Sequence, residues 1–252
     1  MTVAAMVVLM AAACGGGDGD SSGSSPPDAE TTAVTEDTTP AVEDTTTLPP
    51  GATAGLDDYD DDGQPDPTCS VANFGAGLVL RVPCSIGNAS EPAQGTTLVP
   101  GSLFGMPSSP VDLSGVSGNA IVARDDRGQQ VVVFFITSDT LFEVGSATLG
   151  DPARDTLDGM ARIIQANWPT ANVQVRGHTD ATGSAAGNQT LSEQRAAAAS
   201  TYLATHGIDG SRLTSVGLGS SLPIALETNP DGSDNPAGRM SNRRVEFVVR
   251  VP

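Results

Sequence analysis

From residue 130 onward, apolar and polar positions follow periods that can be read element by element. Val131 to Ile136 is an unbroken apolar run, the pattern of a strand buried on both faces. Asp151-Pro152 offers a helix N-cap with proline at the first helical position. Leu157, Met160, Ala161, Ile164 and Trp168 then recur at helical spacing and form one apolar stripe, which Pro169 ends. These side chains read as core, Trp168 included. Val173 to Arg176 alternates as a strand, and Thr190 with Glu193 predicts a capping box for a second helix. That helix runs through an Ala-rich stretch to about His206, with Gly207 as its C-cap. Arg212 to Gly219 reads as a third strand. A loop rich in Gly, Pro and Asn leads to a final strand, Arg244 to Val251. The order β-α-β-α-β-β predicts an α/β fold, a two-layer sandwich with a mixed sheet, over residues 131–252.

The preceding half is patterned differently. Residues 69–130 carry short apolar runs such as Leu78-Val79-Leu80 and Ala120-Ile121-Val122, broken by many Gly, Pro and Ser. Three readings stand for it: a small β-rich module, an extension of the next domain, or more linker. From Gly15 to about Gly55 the chain is Gly, Ser, Thr, Pro, Asp and Glu with almost no large apolar residues. Such a segment cannot bury enough surface to offset its ordering entropy, so residues 15–55 predict a disordered tether. As a flexible coil it would reach very roughly 35 Å.

Charge sharpens this division. The 252 residues hold 30 acidic and 12 basic side chains, a formal net charge of −18. All the basic residues are Arg, and 14 of the acids fall within residues 15–68, where no Arg occurs. With no basic stripe for phosphates, a nucleic-acid partner is disfavoured. Three Cys without a CxxC pair argue against a structural zinc site. No apolar run reaches the ~18 residues that span a bilayer. Val3 to Ala13 is instead an 11-residue apolar run, the length of a signal-peptide core.

Ala11-Ala12-Ala13 directly before Cys14 resemble a bacterial lipobox, although Ala11 stands where Leu is usual and no Arg or Lys precedes the run. The resemblance implies a signal peptide at residues 1–14, cleavage before Cys14, and a lipid anchor on its thiol. The alternative is an ordinary secretory signal with an incidental Cys. Either reading places the mature chain outside the cytoplasm, where Cys69 and Cys84 are expected to pair. Within residues 56–68, Asp58, Asp60, Asp62 and Asp66 around Gly63 resemble one thrombospondin type 3 calcium motif. Alternate carboxylates of this kind can converge on a hard cation. The alternative is the acidic end of a solvated linker. Calcium is thus the one candidate cofactor, and none is required.

The C-terminal motifs are more specific. Gly177-His178-Thr179-Asp180, Gly183-Ser184, Asn188, Leu191-Ser192, Arg195-Ala196, Gly217-Leu218-Gly219 with Pro223, Gly238-Arg239 and Asn242-Arg243-Arg244-Val245-Glu246 are similar, in order and spacing, to an OmpA-like peptidoglycan-binding domain. Phe142, Ala147 and Leu149 extend the likeness, and the loop from Glu227 to Pro236 is longer than the family's usual one. The resemblance implies non-covalent binding of the peptidoglycan stem peptide at meso-diaminopimelate. The free end of that residue carries an ammonium and a carboxylate on one carbon, so its receptor needs an acid and a base held together. Asp180 would accept from the ammonium, and Arg195 would grip the carboxylate with its two-pronged guanidinium. By family position, Asn188, Leu191, Asn242 and Arg243 line the same pocket and Thr179 supports Asp180. The bland alternative for Asp180 and Arg195 is a structural ion pair.

Other functions fit these residues less well. His178, Asp180 and Ser184 allow a hydrolytic triad to be imagined, but no Gly-x-Ser-x-Gly or His-Glu-x-x-His motif supports it. The chain is therefore expected not to be an enzyme. A calcium-dependent surface adhesin, with the C-terminal domain only an anchor, is the alternative function. The expected protein is a cell-envelope lipoprotein, on the outer membrane or the outer face of the plasma membrane, tethered to cell-wall peptidoglycan. The sequence names no protein partner.

Overall fold

In the computed structural model, five strands make the central sheet, and alternation within each strand decides what lies above and below it. The structure describes residues 48, 50–59, 62–86, 89 and 92–252. The expected signal peptide, Cys14 and nearly all of the expected tether lie outside the described residues, as does Asp60. A two-stranded hairpin, β1 (Thr68–Asn73) and β2 (Val79–Pro83), precedes the sheet strands β3 (Asn119–Arg124) and β4 (Gln130–Thr137). Then follow α1 (Ser138–Leu141), α2 (Asp151–Asn167), β5 (Asn172–Gly177), α3 (Ala185–Thr205), β6 (Leu213–Gly217), α4 (Pro236–Asn242) and β7 (Arg244–Arg250). The strand order is β3-β4-β7-β5-β6; β5 and β6 run parallel and every other pair is antiparallel, so the sheet is mixed.

Val132, Phe134 and Ile136 of β4 face the helices, as do Val245, Phe247 and Val249 of β7 and Val173 and Val175 of β5. They pack against Leu157, Met160 and Ile164 of α2 and Ala196, Ala199 and Leu203 of α3. Trp168 closes this core edge-on against Phe134, ring centroids 6.0 Å apart. The intervening residues Val131, Val133, Phe135 and Val248 meet a second apolar cluster with Phe74, Leu78, Leu80, Leu103, Phe104 and Met106. The α/β sandwich with a mixed sheet therefore carries a further, non-helical layer. Within residues 69–130, β3 pairs along β4 as the edge strand, and Phe74, Leu78, Leu80, Leu103, Phe104 and Met106 pack on the sheet's second face. Cys69 and Cys84 are disulfide-bonded across the β1–β2 hairpin.

Three details differ from the sequence expectation. The second long helix begins at Ala185, five residues before Thr190, and Ser184 caps it by accepting from Gly187 N–H at 3.1 Å. Gly183, at φ +93°, turns the chain so that Ser184 can take that position. Thr190 lies inside the helix and donates instead to the Ala186 carbonyl. Gly150, not Asp151, is the α2 N-cap, and Asp151 sits in the first turn. The loop before β7 contains α4, with Pro236 in its first turn and the Asn235 side chain capping Gly238 N–H at 2.9 Å.

Candidate functional site

The ends of β4, β5 and β7 bring three charged side chains to one rim of the sheet. Asp180 follows β5 by three residues, Arg243 is the α4 C-cap directly before β7, and Asp139 sits in α1, which continues β4. The junction is fixed by backbone pairing: Ser138 N–H donates to the Arg243 carbonyl and His178 N–H to the Arg244 carbonyl. Arg243 holds Asp139 with two parallel hydrogen bonds, 3.1 Å from Nε and 2.7 Å from Nη2. Its remaining Nη1 donates to Asp180 Oδ2 at 2.8 Å. The Asp139 contact chiefly, with Asp180 behind it, raises the Arg243 guanidinium's pKa despite partial burial.

Asp180 is itself mostly buried, and its Oδ1 accepts from Thr182 N–H at 3.0 Å. Burial alone would raise its carboxyl pKa, but the Arg243 and Thr182 hydrogen bonds outweigh that and lower it, so the group is ionised at neutral pH. Asn188, in the first turns of α3, donates to the carbonyls of Asp180 and Thr182, both at 3.1 Å, and so pins the loop that carries the carboxylate. Thr179 N–H donates to the Gly219 carbonyl at 2.9 Å, while its buried hydroxyl has no partner among the described residues.

Arg195 approaches from α3. Its Nε donates to the Ser146 carbonyl at 2.9 Å, and its guanidinium carbon lies 5.3 Å from the centre of the Phe142 ring, a cation–π contact. Neither Nη makes a hydrogen bond to a described residue. Burial lowers its pKa, opposed by the fields of Asp139 and Asp180. Leu191 lies one turn earlier on the same helix and is half-buried.

Helix α3 can sit this close to the strand ends because β5 and β6 finish in glycines. A Cβ on Gly177 would lie 2.1 Å from the Ser192 carbonyl oxygen, and one on Gly217 would lie 2.4 Å from Glu193 N. Ser192 then turns its hydroxyl to accept from Gly219 N–H at 2.9 Å, locking the β6 exit against the helix.

The sequence-derived residues thus separate into groups. Asp180, Arg243 and Arg195 interact electrostatically at one rim, with Asn188 bracing the Asp180 loop. Asn242 is one step removed: wholly buried, it accepts from Ile224 and Ala225 N–H at 2.9 and 3.0 Å and donates to Glu227 Oε1 at 2.7 Å. Two residues were missed. Glu227 receives the Ala181 N–H on both oxygens at 3.1 Å, beside Asp180. Asp139 orients Arg243, and no sequence signal marks it, because its partner is 104 residues away. Of the imagined triad, His178 is 1% exposed and packs on Glu246, with its Nε2 3.3 Å from Oε1.

In the Asp-rich segment, Asp58 accepts from the N–H groups of Asp62 and Gly63, Asp62 from Gln64, and Asp66 from Tyr59 at 2.6 Å. Among the described residues, no group of three or more His, Cys, Asp or Glu side chains is placed to hold a metal ion.

Residues 141–236 match the OmpA family. Over 120 residues, 48% of this chain, the sequence is 37% identical to 14% of the Photosystem I P700 chlorophyll a apoprotein A2 of Gloeobacter violaceus. Over 123 residues, 49% of this chain, it is 35% identical to 53% of the probable lipoprotein YiaD of Escherichia coli. An 81-residue stretch, 32% of this chain, is 46% identical to 23% of the peptidoglycan-binding protein ArfA of Mycobacterium tuberculosis. The alignments span about half the length of these relatives or much less. The motifs read from the sequence and the family match coincide: over residues 141–236 this chain is similar to the OmpA family.

Proposed function

We propose that this domain binds cell-wall peptidoglycan without cleaving it, through the meso-diaminopimelate of the stem peptide. The observation that carries the reading is the pairing of an ionised carboxylate, Asp180, with a guanidinium, Arg195, whose Nε is anchored and whose two Nη groups have no partner among the described residues. A headgroup bearing an ammonium and a carboxylate on one carbon meets both needs at once. The ammonium shares the Asp180 carboxylate with Arg243, and the carboxylate takes the two Nη donors of Arg195. Asp139 and Arg243 hold the acid in place, so little ordering is left for the ligand to drive. A similar protein bears the name peptidoglycan-binding protein, which supports the same assignment.

The rest of the chain completes the proposal. A lipid on Cys14 anchors the chain to the outer membrane or the outer face of the plasma membrane, and residues 15–55 span the gap to the wall. The work is mechanical, joining membrane to wall, and needs no metal.

The test is co-sedimentation of the full chain with peptidoglycans containing diaminopimelate or lysine. The diaminopimelate type is expected to retain the protein and the lysine type to release it. Asp180→Ala and Arg195→Ala are each expected to weaken binding by about 2–4 kcal/mol, since each leaves a charged partner unmatched. Retention of both variants at the parent's level removes the site assignment.

A further inference from the structure

The sheet's second face holds a separate cluster of charge. Arg176 of β5 and Glu246 of β7 are register partners, and Arg244 lies two residues before Glu246 on the same face. Glu246 is wholly buried and accepts on Oε1 from Arg244 Nε at 2.8 Å and Nη2 at 2.5 Å. Its Oε2 lies 3.2 Å from Arg176 Nε without hydrogen-bond alignment. His178 Nε2 is 3.3 Å from Oε1, but burial, with Arg244 beside it, pushes the imidazole pKa down to about 4, so it is neutral at pH 7. Two guanidiniums therefore face one carboxylate, leaving one positive charge in excess.

Arg176 is 1% exposed, and although its Nη2 donates to the Phe74 carbonyl, its Nη1 has no hydrogen-bond partner among the described residues. A buried charged donor left unmade costs more than the net value of a made bond, so something is expected to meet it. Arg176, Arg244 and Glu246 all line a cavity of about 260 Å³, whose walls include Phe74, Leu103 and Pro223. That volume is far above the ~30 Å³ share of one water, and the walls are largely apolar.

We propose that this cavity is a binding site for a small organic carboxylate, whose charge meets the excess of the Arg176–Arg244–Glu246 cluster while its hydrocarbon tail lies against Phe74, Leu103 and Pro223. A planar carboxylate matches a guanidinium edge better than a spherical halide does. A branched aliphatic acid of four or five carbons suits the volume and the apolar walls. The site is separate from the Asp180–Arg195 rim, and neither reading depends on the other.

The test is thermal unfolding of the full chain with sodium isovalerate as probe, against sodium chloride and sodium phosphate at matched ionic strength. Isovalerate in tenfold excess over its Kd is expected to raise the midpoint by a few degrees, and chloride and phosphate are expected not to. Ser102→Phe places a ring in the cavity from a half-buried position and is expected to weaken isovalerate binding tenfold or more, while co-sedimentation with peptidoglycan stays at the parent's level. Arg176→Met removes the unpaired donor and is expected to abolish the shift; Ser102→Phe keeps the test decisive should that variant not fold. An isovalerate shift no larger than that of chloride or phosphate, or an equal isovalerate shift in Ser102→Phe, overturns the proposal.

Discussion

A glycine and an arginine show how single residues set this rim. Gly177 is required by contact: any Cβ there would meet the Ser192 carbonyl at 2.1 Å, and backbone cannot yield as a side-chain end can. Gly177→Ala is expected to lower stability by about 1–3 kcal/mol, since α3 must lift from β5. Chemical denaturation measures this directly, and an unchanged midpoint would show that the helix is free to move. Arg243 acts through arrangement. Its two bonds to Asp139 hold it so that the third donor reaches Asp180. Asp139→Ala is therefore expected to weaken peptidoglycan co-sedimentation several-fold while leaving the melting midpoint within about 2 °C of the parent, as an exposed ion pair adds little stability. A loss in Asp139→Ala as large as that in Asp180→Ala would instead make Asp139 a direct contact.

At the scale of elements, local chemistry explains most boundaries and long-range packing explains the rest. The α2 stripe from Leu157 to Ile164 is buried as its spacing predicts, and β4 is buried on both faces as its unbroken apolar run predicts. The start of α3 differs from the sequence expectation because Thr190 and Glu193 match a cap pattern that Ser184, after a left-handed Gly183, satisfies first. Helix α4 escaped notice because a seven-residue helix leaves too short a period to read. The β1–β2 hairpin carries the Cys69–Cys84 disulfide with a sequence separation of 15, and Val71 on its outer side is exposed. Reduction is expected to cost about 3 kcal/mol by the loop-entropy argument. The melting midpoint with and without reductant measures it, and equal midpoints would show that the hairpin is held by Leu78 and Leu80 alone.

For the whole molecule, the buried cluster on the second face makes stability depend on pH. His178 is held neutral, with its pKa at about 4 in the folded chain, against about 6.5 when unfolded. As pH falls below about 6.5 the unfolded chain binds a proton that the folded chain refuses until about pH 4. Stability is therefore expected to fall by about 3 kcal/mol across that window and to be independent of this group above pH 7. His178→Gln removes this contribution. A variant whose stability falls as steeply as the parent's between pH 6.5 and 4 would place the effect elsewhere.

The sequence by itself determined the succession β4-α2-β5-α3-β6-β7, because those elements are encoded in periods of two and 3.6 residues that need no partner to be read, whereas α1 and α4 are too short to show one. It also marked Asp180, Arg195 and Arg243, through motifs spaced along the chain. Only the tertiary structure decided that Phe74, Leu78, Leu80, Leu103, Phe104 and Met106 cover the sheet's second face, since these short apolar runs carry no lasting period and acquire a side only against Val131, Val133 and Phe135. Only it joined Asp139 and Glu227 to the rim, and moved Asn242 from the rim to a buried clamp. Contacts between groups 15 or 104 residues apart arise from strand order, which no local pattern specifies.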